Sequence, residues 1–206
     1  MPHTNAPYIV GIGGTQRAGS TSELALRYCL SAAKAAGARV DMIAGAALEL
    51  PLYDPSVAHR PPAALRLIQA MRRADGIIIA TPSYHGGMSG MIKNALDYTE
   101  DMREDARSYF DGRAVGCIVC ANGAQALGTA LVGLRSVIHA LRGWPTPYAA
   151  AINSNEKPFV DGRPARPEVA KALETVAAQV VQFSSLAIAW SDPRERDGEP
   201  RLVVSR

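Results

Sequence analysis

The order of the secondary-structure elements restricts the fold of this chain more than any other feature of its sequence. Short segments at residues 8–13, 39–44, 76–80, 114–120 and 148–152 have the character of strands. Residues 22–36, 63–73, 90–98, 128–142 and 167–190 carry apolar side chains at helical spacing. Strands that alternate with helices build a parallel sheet through right-handed crossovers. We therefore predict an α/β fold with a doubly wound five-stranded parallel sheet and helices on both faces.

Length and composition fit one domain. The chain has 206 residues, of which 48% are hydrophobic and 20% charged, as is ordinary for a soluble globular protein with a sizeable core. No repeat or linker divides it, so we predict a single domain over residues 1–190. Residues 191–206 are polar and charged, and we predict that they form a C-terminal tail or an arm that reaches a partner subunit.

The charged residues form no patch for a large anionic partner. The net charge is +3, but the basic residues are scattered and the longest basic run is Arg72-Arg73. This pattern predicts neither a nucleic-acid nor a membrane partner, while mild positive charge favours small anionic ligands such as nucleotides. We find no signal peptide and no apolar stretch long enough to span a bilayer, so we predict a cytoplasmic location.

Neither the cysteines nor the histidines suggest a metal or redox centre. Cys117 and Cys120 form a Cys-x-x-Cys pattern, but it falls in a predicted strand, where positions three apart point to opposite faces. Cys29 leaves an odd number of thiols. His59 and His139 have no partner at metal-ligand spacing. We predict no metal site.

A loop rich in hydroxyl groups follows the first predicted strand and enters a helix. It lacks the third glycine of a dinucleotide fingerprint, because Gln16 stands there, and no Gly-Lys-Ser/Thr follows as in a Walker loop. Its side chains combine hydroxyls with one guanidinium at a helix N-terminus: Thr15, Arg17, Ser20, Thr21 and Ser22. Such a set favours a phosphate monoester. The alternative is a capping box of Ser20 and Glu23, which needs no ligand and does not explain Arg17.

A second loop follows the third predicted strand. Residues 81–98 read Thr-Pro-Ser-Tyr-His-Gly-Gly-Met-Ser-Gly-Met-Ile-Lys-Asn-Ala-Leu-Asp-Tyr, directly after an apolar run. A buried strand that opens into a Gly- and Pro-containing loop and then a helix is the layout of a ligand site at the carboxyl edge of a sheet.

Together the two loops resemble those of the NAD(P)H-dependent FMN reductase family, whose members are flavodoxin-like. The family signature Thr-Pro-x-Tyr, followed after eight residues by Lys-Asn-Ala-hydrophobic-Asp, is matched in register by Thr81, Pro82, Tyr84, Lys93, Asn94, Ala95, Leu96 and Asp97. The resemblance implies a flavodoxin-like fold, with FMN as cofactor and NADPH or NADH as hydride donor. The element order agrees from residue 8 to residue 190.

The resemblance also implies site residues. Thr15, Arg17, Ser20 and Ser22 would hold the FMN phosphate, and Pro82, Ser83, Tyr84, His85 and Gly86 would border the isoalloxazine ring. Ser83 and His85 stand where many members carry Glu and Asn. Asn122 and Gly123 follow the fourth strand, where the family has a third flavin contact, although Asn-Gly is equally a common turn. Lys93 and Asp97, four apart on a predicted helix, are assigned a structural ion pair.

The resemblance implies an oxidoreductase that transfers hydride from a nicotinamide to FMN, and we name no catalytic side chain because the flavin carries the chemistry. Reduced flavin could pass to a partner monooxygenase. Alternatively, FMN stays bound and reduces a quinone, azo dye, nitro compound or metal oxyanion. A flavodoxin-like electron carrier is less favoured, since the charge is +3 and the third loop lacks aromatic residues. A scaffold without cofactor is the third alternative.

The family commonly forms dimers or tetramers, so we expect a homodimer or homotetramer. Met88, Met91 and Ile92 follow the second loop and could supply an apolar contact. The alternative role of these side chains is ordinary packing of a helix.

Overall fold

The fold is centred on a parallel sheet in the computed structural model, which describes residues 6–190. The strands are β1 (Tyr8–Gly13), β2 (Arg39–Ala44), β3 (Gly76–Tyr84), β4 (Gly87–Met88), β5 (Ala114–Ala121), β6 (Trp144–Pro145) and β7 (Ala150–Asn153), with a separate hairpin of β8 (Phe159–Val160) and β9 (Arg163–Pro164). Strands β2, β1, β3 and β5 lie side by side in that order, and β6 and β7 share the place beyond β5. This is the 2-1-3-4-5 order of flavodoxin-like sheets, so the predicted fold class is confirmed.

Helices cover both faces of this sheet. They are α1 (Thr21–Ala35), α2 (Pro62–Arg73), α3 (Gly90–Asp97), α4 (Ala124–Ala140) and α5 (Pro167–Trp190). Successive side chains of a strand point to opposite faces. Ile78 of β3 accordingly packs with α1 and α5, while Ile77 and Ile79 pack with the other three helices.

The structure corrects three predicted boundaries. Strand β3 continues beyond residue 80, because Thr81 and Pro82 still pair with β5 and the next two residues pair with β4. Helix α4 starts at Ala124 rather than residue 128. Gly128 therefore lies within the helix, on its exposed side, and does not begin it. The fifth strand starts at residue 150 and is preceded by β6. The chain leaves the sheet between these two strands, where Pro147 has no N–H to donate. The predicted tail at residues 191–206 lies outside the described residues.

Helix α5 meets the length and hydropathy criteria for a membrane span, with 24 residues and a mean hydropathy of 1.3. By those criteria the prediction that no stretch is long enough was wrong. Leu173, Val176 and Val180 on one side of α5 are nonetheless fully buried against the sheet. Glu168 and Lys171 are exposed on the other side. Packing against the sheet explains the apolar residues on this side, whereas Phe183, Leu186 and Trp190 are exposed towards the C-terminal end of the helix.

All three cysteines are buried as free thiols. Cys117 and Cys120 belong to the cores on opposite faces of the sheet, as their spacing predicted. Burial raises the pKa of the Cys29, Cys117 and Cys120 thiols to about 12, so each is a neutral thiol at physiological pH.

We expect the native protein to react slowly with a thiol reagent at neutral pH, because burial limits both access and the thiolate fraction. Unfolding in denaturant should expose all three thiols, which a colorimetric thiol titration would count. Rapid reaction of any cysteine in the native protein would contradict this expectation.

Candidate functional site

A cavity lies at the carboxyl ends of β1, β3 and β5, beside the point where the strand order reverses. Its volume is about 380 Å³, within the range of small-molecule sites. The residues that line it are Thr15, Arg17, Ser20, Thr21, Ser22, Pro82, Ser83, Tyr84, Cys120, Ala121, Asn122, Gly123, Ala126 and Ser154. Nine of the eleven predicted site residues are therefore brought together, and His85 and Gly86 are not among them.

The N-terminus of α1 forms one end of the cavity. The Ser20 side chain caps the helix by accepting a hydrogen bond from the Glu23 N–H at 3.4 Å, and the Glu23 carboxylate accepts one from the Gly19 N–H at 2.9 Å. The alternative of a capping arrangement is thus correct. These capping hydrogen bonds do not involve the N–H groups of Thr21 and Ser22, which have no partner among the described residues. These groups and the helix dipole still favour an anion.

Arg17 is exposed at the mouth of this end. Thr15 fixes the backbone there, since its hydroxyl accepts from the Arg17 N–H and donates to the Arg17 carbonyl, both at 3.2 Å. The guanidinium has no hydrogen-bond or ion-pair partner within the described part of the chain. Among the described residues that line the cavity, Arg17 is the sole charged one, so the cavity suits an anionic ligand.

The β3–β4 hairpin forms a second wall. Tyr84 pairs with Gly87, so His85 and Gly86 are the two central residues of the turn, and both have positive φ, 53° and 81°. Such a turn matches the twist of the flanking strands. It directs Tyr84 to the cavity and leaves His85 exposed at the tip. The predicted ring contact of His85 and Gly86 stays a prediction.

Two hydroxyl side chains hold this second loop in place. Thr81 is fully buried, and its hydroxyl accepts from the Ser89 N–H at 3.0 Å and donates to the Pro82 carbonyl at 2.8 Å. Ser83 donates to the Ala126 carbonyl in the first turn of α4 at 3.2 Å. The loop is therefore closed at its base and attached to the neighbouring wall.

The Lys-Asn-Ala-Leu-Asp part of the signature lies on α3 and has a structural role. The Asn94 side chain accepts from the Tyr53 N–H at 2.8 Å and donates to the Leu50 and Pro51 carbonyls at 3.3 and 2.9 Å. It fixes the loop after β2. Lys93 and Asp97 form the predicted ion pair at 2.6 Å, on the surface.

The third wall consists of the loop after β5 and the start of α4. Asn122 and Gly123 line the cavity, and no side chain in the part of the chain that the structure describes caps α4. A fourth contribution was not predicted: Ser154, from the 3₁₀ helix Ser154–Glu156 after β7. Its position directly after a strand's carboxyl end is the sequence signal that marks it.

The apolar residues considered for a subunit contact lie beside this site. Ile92 is fully buried in the chain's own core, and Met88 and Met91 are partly buried against it. Ile92 is therefore a packing residue. Met88 and Met91 keep some exposed surface.

A second hollow of about 440 Å³ lies between the loop after β2 and α2. Its basic side chains already have partners, since Arg60 pairs with Asp101 at 2.8 Å and Arg72 with Asp105 at 2.7 Å. The Arg60 guanidinium lowers the pKa of Asp101, as expected for a pair that is satisfied within the protein. This hollow is therefore a less favourable site for an anionic ligand than the Arg17 cavity.

The residues of the Arg17 cavity fit FMN. Unpartnered N–H groups, hydroxyls and Arg17 suit a phosphate at one end. Small and apolar side chains, including Pro82, Ala121 and Ala126, suit a planar ring at the other. Among the described residues, no group of three or more His, Cys, Asp or Glu side chains is placed to hold a metal ion.

Sequence comparison identifies related proteins. The sequence model of the family described as NADPH-dependent FMN reductase matches residues 7–157. The chain is 29% identical over 134 residues to an NAD(P)H-dependent FMN reductase of Pseudomonas aeruginosa, covering 63% of this chain and 68% of that protein. It is 35% identical over 78 residues to an NADPH azoreductase of Bacillus sp. (strain OY1-2), covering 37% of this chain and 40% of that protein.

Solved structures share the fold. The flavoenzyme NAD(P)H:(acceptor) oxidoreductase FerB from Paracoccus denitrificans superposes with a TM-score of 0.73 at 20% identity, covering 88% of this chain and 99% of that one. A WrbA-like flavodoxin from Agrobacterium tumefaciens gives a TM-score of 0.59 at 14% identity, with the same coverage.

Proposed function

Because this chain belongs to the NADPH-dependent FMN reductase family, we propose that it binds FMN and transfers hydride to it from NADPH or NADH. The observation that carries the proposal is the cavity where Arg17 and the first N–H groups of α1, which have no partner among residues 6–190, meet small, uncharged walls. Bound FMN supplies the hydride-accepting ring.

Each wall then has a distinct role. Thr15, Arg17, Ser20 and Ser22 bind the phosphate and anchor the molecule at the α1 end. The β3–β4 hairpin, with Pro82, Ser83 and Tyr84, and the loop of Asn122 and Gly123 would hold the ring. His85 and Gly86 remain candidates for the rim on the hairpin side.

The protein contributes orientation rather than an acid or a base. Among the described residues that line the cavity no carboxylate or imidazole is present, and the Cys120 thiol is neutral. The walls would orient the ring, restrict water and leave it accessible to the nicotinamide. This is why we assign no catalytic side chain.

A single-turnover experiment tests the proposal. Protein mixed with an equal amount of FMN without oxygen should bleach the flavin absorbance on addition of NADPH or NADH, faster than FMN alone. Bleaching at the rate of free FMN would refute hydride transfer on this protein.

Two fates of the reduced flavin remain distinct proposals. We favour release of reduced FMN, which would supply a partner monooxygenase. The relatives named NADPH azoreductase favour the second fate, in which FMN stays bound and reduces an azo compound, a quinone, a nitro compound or a metal oxyanion. Gel filtration of the FMN complex separates them, since a prosthetic group stays with the protein and a substrate flavin is lost.

The electron-carrier alternative has less support. Among the described residues lining the cavity, Tyr84 is the single aromatic, whereas carriers tend to enclose the ring between two. A carrier would bind FMN but would not oxidise a nicotinamide.

Three further features belong to this proposal. We propose one FMN-binding domain over residues 1–190, a cytoplasmic location and a homodimer or homotetramer. The exposed parts of Met88, in β4, and of Met91, at the start of α3, support a subunit contact near the flavin. A monomer in sedimentation at working concentration would refute the contact.

A further inference from the structure

The loop that follows β7 is fixed by a dense set of side-chain contacts. Asn153 accepts from the Asn155 N–H at 3.1 Å and donates to the Glu156 carboxylate at 2.9 Å. Glu156 also pairs with Arg166 near the start of α5. The loop that contributes Ser154 to the cavity is therefore tied within itself and to the body of the protein.

One side chain of this loop is directed at the loop after β5. The Asn155 amide donates a hydrogen bond to the Asn122 carbonyl at 2.7 Å. Asn155 does not line the cavity, whereas Asn122 and Gly123 do. The carbonyl that Asn155 binds belongs to the same planar peptide unit as the Gly123 N–H, and in a trans peptide these two groups point in opposite directions.

Gly123 provides a second observation at the same place. Its φ of −161° is extended backbone that any residue adopts. A Cβ added to Gly123 would have no atom of the described residues within 4 Å, apart from those of its two chain neighbours. Glycine is a favoured residue at this N-cap, and neither conformation nor packing within the described chain requires it here. The absence of a side chain leaves the Gly123 backbone open to close approach by a ligand in the cavity.

From these contacts we propose that Asn155 is a positioning residue for the flavin ring. It holds the Asn122–Gly123 peptide so that the Gly123 N–H and the uncapped N-terminus of α4 face the ring, on the side opposite Asn155. A helix N-terminus stabilises negative charge. The reduced ring is anionic near neutral pH, so this arrangement favours reduced over oxidised FMN. The inference rests on the proposed function, because it assumes that the cavity takes FMN.

The test compares Asn155→Ala and Asn155→Asp with wild type. Neither variant can donate to the Asn122 carbonyl, and Asp has nearly the shape of Asn. We expect Asn155→Ala to weaken the binding of oxidised FMN and of riboflavin by the same factor, between about two- and tenfold, which corresponds to one net hydrogen bond. Asn155→Asp should weaken both at least as much, because its carboxylate also repels the Asn122 carbonyl. Fluorescence titration of each flavin measures this. A role in packing alone would spare the Asp variant, and that result would overturn the inference.

The midpoint potential of bound FMN supplies a readout that looser packing does not predict. Reduced FMN should lose more affinity than oxidised FMN in Asn155→Ala. If the affinity for reduced FMN falls threefold more than the affinity for oxidised FMN, the midpoint potential of bound FMN falls by about 14 mV for this two-electron couple. An unchanged potential would overturn the claim that the Gly123 N–H supports the reduced ring.

Two control variants separate the Asn155 contact from a general loosening of the two loops. Glu156→Gln weakens the outer contacts of the same loop but keeps Asn155, and it should leave both flavin affinities within about twofold. Gly123→Ala should weaken both flavins, whereas Gly128→Ala, on the exposed side of α4, should not. If wild-type protein binds no flavin, the proposed function fails and the inference fails with it. If wild type binds flavin and the Asn155 variants bind it equally well, the inference alone fails.

Discussion

Arg17→Ala is expected to weaken FMN binding by about 10- to 100-fold, the effect of losing a charge-assisted hydrogen bond to phosphate. The affinity for riboflavin, which lacks the phosphate, should fall by less than about twofold, because Arg17 lies at the α1 end of the cavity. The guanidinium has no partner within the described part of the chain, so the substitution leaves no other group of those residues unpaired. Fluorescence titration of both flavins on both proteins gives the ratio directly.

The control for net charge is Arg66→Ala. Arg66 is exposed, pairs with Asp41 at 3.4 Å and does not line the cavity. It should leave FMN affinity unchanged apart from a small, salt-dependent effect. Equal losses for FMN and riboflavin in Arg17→Ala would refute the assignment of the phosphate to this loop.

Asn94→Ala is expected to lower the free energy of unfolding by about 3–5 kcal/mol. The substitution removes three hydrogen bonds at once and leaves the Tyr53 N–H and the Leu50 and Pro51 carbonyls without their partner. Asn94 is nearly buried, so water replaces the side chain poorly. Denaturant unfolding, with the slope compared between variants, measures the loss.

The adjacent signature residue provides the matched control. Lys93→Ala removes the exposed ion pair with Asp97 and should change the free energy of unfolding by less than about 0.5 kcal/mol. Similar losses for both variants would show that Asn94 does not act as the clamp of the loop after β2.

The fold was predictable because the hydrophobic pattern and the order of the predicted elements both indicate it. The apolar runs of β1, β3 and β5 are buried on both faces of the sheet. The errors occurred where tertiary pairing overrides local composition. Thr81 and Pro82 resemble a loop in sequence but are part of β3, because β5 is long enough to pair with them.

The candidate site was predictable to the extent that its residues follow strands directly. The loops after β1, β3 and β5 meet because carboxyl ends of parallel strands share one edge of the sheet. Local sequence did not show that Asn94 holds the loop after β2, since that contact joins residues about forty positions apart. The Asn155 contact with Asn122 was equally hidden, because it depends on the pairing of β5 with β7.

The central claim is that this protein uses bound FMN to oxidise a nicotinamide. The most direct measurement is the oxidation of NADPH and of NADH in air, followed by nicotinamide absorbance, as free FMN is raised from zero. We predict oxidation that requires FMN and saturates with it, and that needs more FMN in Arg17→Ala than in wild type. Wild-type protein that binds FMN but oxidises neither nicotinamide above the rate of free flavin would contradict the account.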